Sequence, residues 1–124
     1  MKLAITASSD QGLEASVDSR FGRAPYFTIV EVDTMETKVI KNSASSAGSG
    51  AGVSASQQLA EEEVDGVIAG NFGPKAFTSL QAGELKLYSY SGGTVAEAID
   101  EFKRGTLNEL SGPTNKAHTG LKNN

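Results

Sequence analysis

Glycine placement is what most limits the folds open to this chain. Fourteen of its 124 residues are glycine, well above the usual share of about 7%. Nine of them (Gly12, Gly22, Gly48, Gly50, Gly52, Gly70, Gly73, Gly92 and Gly93) fall in four polar segments, 7–25, 42–52, 70–74 and 89–94. Short apolar runs lie between these segments, so the chain reads as compact elements joined by glycine-bearing loops. Residues 2–6 alternate Leu3 and Ile5 with polar or small neighbours and predict a strand. Tyr26 to Val32 is β-branched and aromatic, a second strand. Asp33-Thr34-Met35-Glu36 is turn chemistry, and Lys38 to Lys41 reads as the return strand of a hairpin.

Val53 to Glu63 predicts a helix with Val53, Ala55, Leu59 and Ala60 inward. Its Glu61-Glu62-Glu63 end opposes the helix dipole. Val64 to Ala69 reads as a short buried strand, and Pro74 suits the first turn of a helix running to about Gln81 with Phe77 and Leu80 inward. Leu85, Leu87 and Tyr88 mark a fifth strand. Thr94 and Glu97 have capping-box spacing, and Val95, Ala98, Ile99 and Phe102 follow at helical intervals. Residues 106–124 have no periodic apolar face and read as a poorly ordered polar tail that adds little to the core. His118 is then a solvated side chain, and the expected domain is residues 1–105.

The hairpin requires an antiparallel neighbour, and the later β-α-β run requires parallel strands with a right-handed crossover. The expected fold is therefore α/β, a five-stranded mixed sheet with strand two running against the other four and helices packed on it. In that arrangement all four glycine loops leave the sheet at one edge. Open α/β sheets bind ligands beyond the carboxyl ends of their strands. Three of the loops also open helices, so free backbone N–H groups gather there.

Composition narrows the chemistry. Eleven Lys plus Arg against 15 Asp plus Glu leave a net charge of −4, which argues against a nucleic-acid binder. There is no cysteine and only one histidine, so the chain supplies no thiolate and no His-rich metal site. No apolar run approaches the roughly 20 residues of a membrane helix, and a cytoplasmic location is expected. Gly48-Ser49-Gly50-Ala51-Gly52 is not a P-loop, because no Lys-Ser or Lys-Thr follows, and no dinucleotide fingerprint is present. Arg20-Phe21-Gly22-Arg23 leaves two readings open. It is a surface loop whose Phe21 plugs the core and whose arginines pair with Asp10, Glu14 or Asp18, or it is a cationic clamp at the mouth of a site. Lys75 is a weaker candidate.

Four motifs in order carry a resemblance. They are Arg20-Phe21-Gly22-Arg23-Ala24-Pro25-Tyr26-Phe27, Gly50-Ala51-Gly52, the run from Val67 to Phe77 through Gly70-Asn71-Phe72-Gly73-Pro74, and Gly92-Gly93-Thr94. Over about residues 1–105 the chain resembles the dinitrogenase iron–molybdenum cofactor biosynthesis family, the group similar to NifX and to the C-terminal part of NifB. The resemblance implies a ribonuclease H-like three-layer fold. It also implies a carrier role for an iron–sulfur–molybdenum cofactor or its precursor rather than a catalytic activity, with donor and acceptor proteins as partners. Many members have His where this chain has Arg20. Arginine cannot ligate iron, so a cluster would be held by charge and loop N–H groups. The expected cofactor-binding set is Arg20, Phe21, Gly22, Arg23, Gly48, Gly50, Gly52, Asn71, Gly73, Gly92, Gly93 and Thr94. A regulatory domain binding a phosphate or nucleotide anion at the same edge is the alternative. A two-metal nuclease is disfavoured, because the first strand carries no carboxylate.

Overall fold

The structure is a computed structural model that describes residues 1–44 and 50–113. Gly48, His118 and Leu121 lie outside the described residues. Five strands, β1 (Lys2–Ala7), β2 (Tyr26–Glu31), β3 (Thr37–Lys41), β4 (Gly66–Ala69) and β5 (Lys86–Ser89), form one sheet in the order β3-β2-β1-β4-β5. β2 runs antiparallel to both β1 and β3, while β4 is parallel to β1 and β5. The expected mixed sheet and the single antiparallel strand are both present.

The helices are α1 (Ala51–Glu61), α2 (Pro74–Ala82) and α3 (Val95–Lys103). They occupy opposite faces of the sheet, which gives three layers. On one face Ala4, Phe27, Ile29, Val67 and Leu87 pack under Ala55, Leu59, Phe77 and Leu80 of α1 and α2. On the other, Leu3, Ile5, Val30, Ile68 and Tyr88 pack under Val95, Ala98 and Ile99 of α3. β1 lies at the centre, and Leu3, Ala4, Ile5 and Thr6 are fully buried. Burying one such aliphatic side chain contributes about 1.5–3 kcal/mol.

Two expectations need correction. α1 begins at Ala51 rather than Val53, because Gly50 takes a left-handed conformation (φ +83°) as its N-cap and the small Ala51 and Gly52 fit the first turn. Its buried side is Ala51, Ala55, Ser56 and Leu59, with Val53 half-buried and Ala60 exposed. The second correction concerns residues 106–113, which do add to the core. Glu109 bridges Tyr88, and the Leu110 N–H donates to the Leu87 carbonyl at 2.8 Å. Leu110 packs against the α1–α2 side and Leu107 against the α3 side. The β5 edge leaves a row of backbone groups to satisfy, and this segment covers part of it.

α3 begins as expected. The Thr94 hydroxyl accepts from the Glu97 N–H at 3.2 Å, and the Glu97 carboxylate accepts from the Thr94 N–H at 2.8 Å. Val95, Ala98 and Ile99 are buried. Phe102 is half-buried and meets the Tyr88 ring edge-on at 5.2 Å.

Candidate functional site

The long segment from Ser8 to Pro25 crosses the carboxyl edge of the sheet and is sewn to both faces. The Val17 N–H donates to the Gly93 carbonyl at 2.9 Å, and the Val95 N–H donates to the Ala15 carbonyl at 2.9 Å. Further along, the Gly70 N–H donates to the Asp18 carbonyl at 3.3 Å, and the Phe21 N–H to the Asn71 carbonyl at 3.2 Å. The Asn71 amide reaches back to the Ser19 carbonyl at 3.1 Å. This path divides the edge into two halves.

The half on the α1–α2 side holds a cleft of about 700 Å³, within the usual range for small-ligand sites. Arg20 to Arg23, Gly50 to Val53, Asn71 and Gly73 to Ala76 line it. Eight expected site residues therefore come together: Arg20, Phe21, Gly22, Arg23, Gly50, Gly52, Asn71 and Gly73. Gly92, Gly93 and Thr94 do not line it. They open α3 on the other face of the sheet, where Ser16 bridges Thr94. Lys75, the weaker candidate, does line the cleft. Val53, Pro74 and Ala76, which sequence reasoning did not assign to the site, form apolar wall.

Two helix N-termini open into this space. Neither Gly50 at the start of α1 nor Gly73 at the start of α2 supplies a side-chain cap. The first-turn amides of Ala51, Gly52, Val53, Lys75 and Ala76 thus have no intrahelical acceptor, and the positive ends of both helix dipoles point at the cleft. The glycines serve packing as much as binding. A Cβ on Gly22 would lie 2.8 Å from the Gly52 nitrogen, so the arginine loop rests directly on the first turn of α1.

The first reading of Arg20-Phe21-Gly22-Arg23 holds for Phe21 and for Arg20, and both arginines also line the cleft. Phe21 is 2% exposed and meets the Phe27 and Phe72 rings at 5.7 and 5.6 Å. That anchor holds the loop while the arginines on either side stay exposed. Arg20 pairs with Asp18, Nε to Oδ1 at 3.4 Å, and the same oxygen accepts from the Arg20 backbone N–H at 2.9 Å. Asp18 lies behind the loop rather than in the cleft wall. Among the described residues no Asp or Glu lines the cleft, and no group of three or more His, Cys, Asp or Glu is placed to hold a metal ion. The donors present are guanidinium, ammonium and amide N–H. They suit an anion whose metals, if it has any, already carry their own ligands, and they do not suit a bare metal ion.

Sequence reasoning missed Asn42. It lies in the small and polar loop segment 42–52, and no local pattern marks it. In the fold it is 2% exposed and ties the arginine loop to the end of β3.

The family described as dinitrogenase iron-molybdenum cofactor matches residues 1–105. Among solved structures, the apo orange protein from Desulfovibrio gigas is 36% identical, with TM-score 0.88 over 91% of this chain and 95% of that one. A candidate NifB protein from Thermotoga is 38% identical, with TM-score 0.77 over 89% of this chain and 93% of its own. An uncharacterized protein from Methanocaldococcus jannaschii is 28% identical over 113 residues, covering 89% of this chain and 92% of that protein.

Proposed function

The chain belongs to the dinitrogenase iron-molybdenum cofactor family, and from that premise we propose that it carries an anionic iron–sulfur or iron–sulfur–molybdenum cluster, or a precursor of one, in the cleft between the arginine loop and the first turns of α1 and α2. The observation that carries this reading is the convergence of Arg20, Arg23, Lys75 and two helix N-termini without side-chain caps on one space, with no carboxylate among the described residues of its wall. A cluster rich in sulfide is a multivalent anion. N–H donors hold its outer atoms, and the chain's lack of cysteine is then no obstacle, because no protein–metal bond is required. Such a cargo can be released to an acceptor protein without breaking a ligand bond, which suits a carrier between a cofactor donor and an acceptor. No helix among the described residues is long and apolar enough to cross a membrane.

The test is bound iron per chain after anaerobic reconstitution with iron and sulfide and desalting. The wild type should retain iron, less so as salt rises, because exposed charges are screened over about 8 Å at physiological ionic strength. Replacing Arg20 and Arg23 together by Ala should remove two charge-assisted contacts, each worth about 1.5–3 kcal/mol. Arg20→His should raise retention by adding a metal ligand. Equal retention in all three proteins would place the cluster elsewhere. No retention in any, with binding in a parallel nucleotide and phosphate screen, would favour the second reading, which the two open helix N-termini also support.

A further inference from the structure

We propose that Asn42 is the positioning residue of the anion cleft. Its side-chain amide fixes the loop that carries Arg23 against the N-terminus of α1. The inference rests on the cleft reading above and concerns a residue outside the cleft wall.

Asn42 is the first residue after β3 and is almost wholly buried. Its Nδ2 donates to the Gly22 carbonyl at 3.1 Å and to the Ala24 carbonyl at 2.8 Å. These two carbonyls bracket Arg23. The Asn42 backbone N–H donates to the Pro25 carbonyl at 3.0 Å, and its Oδ1 accepts from the Ala44 N–H at 3.0 Å. One side chain thus uses both amide protons and its oxygen. It joins the arginine loop to the strand end from which the chain leaves toward α1.

The chemistry of the side chain is specific. Two carbonyls facing one point need a neutral group with two N–H donors, and a carboxylate of the same shape would face both lone pairs with negative charge. The position matters because Gly22 lies so close to Gly52 that a Cβ would sit 2.8 Å from its nitrogen. The first-turn amides of α1 and the Arg23 guanidinium can serve the same anion only while the loop keeps that seat. Without Asn42, the buried Ala24 carbonyl and the part-buried Gly22 carbonyl lose this donor, and the loop is released between its remaining ties at Asn71 and at β2.

The probe is sulfate, whose charge is constant across neutral pH. Its binding is followed by the Arg Nε–H resonances in nitrogen-15 spectra at several sodium chloride concentrations. Asn42→Ala and Asn42→Asp are compared with the wild type, with Asn42→Ser as a milder variant that keeps one donor and the fold. Leu110→Ala serves as a variant loosened at a residue that does not line the cleft. In the wild type sulfate should shift Arg23 Nε–H in a saturable way. In Asn42→Ala and Asn42→Asp the affinity should fall about tenfold or more, the scale of one charge-assisted contact, and its dependence on salt should flatten because one cation fewer is engaged. Asn42→Ser should lie between, and Leu110→Ala should bind as the wild type does. Wild-type affinity and salt dependence in the folded Asn42 variants would overturn the inference and leave the cleft reading standing. A loss equal to that in Leu110→Ala would also overturn it, by showing general loosening. Absence of any sulfate response at Arg23 in the wild type would overturn the cleft reading and the inference with it.

Discussion

Gly52 of α1 and Ala76 of α2 face each other so closely that a Cβ on Gly52 would lie 2.9 Å from the Ala76 Cβ. Each residue belongs to the first turn of its helix. The contact draws the two N-termini together, so their first-turn amides, which have no intrahelical acceptor, open into one cleft instead of two separate surfaces. The same Gly52 is pressed from its other side by Gly22. The arginine loop and both helices therefore share one point of contact.

Replacing Gly52 by Val should separate the two helix ends. Overpacking of this kind costs about 1–3 kcal/mol. The stability loss should appear in denaturant midpoints and should come with weakened anion binding at the cleft. Unchanged stability would mean that the helices move apart at no cost, and the contact would not be what sets the cleft.

Thr94→Ala removes one half of the capping box on α3 and should cost about 1 kcal/mol in denaturant unfolding. Because Gly92, Gly93 and Thr94 stand outside the cleft, the variant should keep its anion affinity. A loss of affinity with stability intact would return this loop to the site.

Truncation after Gly105 removes Leu107, Leu110 and the bridge from Glu109 to Tyr88. It should lower the melting temperature measurably, and Leu110→Ala alone should reproduce part of the drop. An unchanged melting temperature would show that the segment contributes nothing to the fold.

Burial, and secondarily the Glu109 carboxylate, raise the Tyr88 pKa above its usual value of 10.0. The folded state therefore holds this proton more tightly than the unfolded chain does. The associated stability is fully present below the unfolded pKa, near 10, and is lost as pH rises through the folded value. Denaturant midpoints measured from pH 8 to above pH 10 should fall for the wild type and fall less for Tyr88→Phe. Some alkaline loss should remain, because Tyr90 is shifted in the same direction by burial and by Glu97 and Glu101. An identical alkaline slope in both proteins would exclude a role for Tyr88.

Much of the fold was legible because local chemistry and connectivity agree. The Asp33–Glu36 turn commits β2 and β3 to a hairpin, and the runs around β4, α2 and β5 demand a parallel crossover. Together they orient every strand. Thr94 and Glu97 mark the start of α3 three residues apart in sequence. The start of α1 was less legible, because Ala51 and Gly52 carry no apolar signal and glycine is a poor helix former. Their place in the helix follows from the tight packing against Gly22 and Ala76.

The sequence by itself determined that the glycine loops leave the sheet at one edge, since strand direction follows from turn and crossover chemistry. It did not determine the face on which each helix packs. A helix start says where a helix begins, whereas its face depends on the burial of whole apolar surfaces on both sides of the sheet. The tertiary structure decided that α1 and α2 share a face and that α3 takes the other. That division joins Arg20, Arg23, Gly50 and Gly73 in one cleft and draws Gly93 and Thr94 to the opposite side. It also gave Asn42 its place, because the carbonyls of Gly22 and Ala24 come within reach of its amide only when β2 and β3 pair and bring distant parts of the chain together.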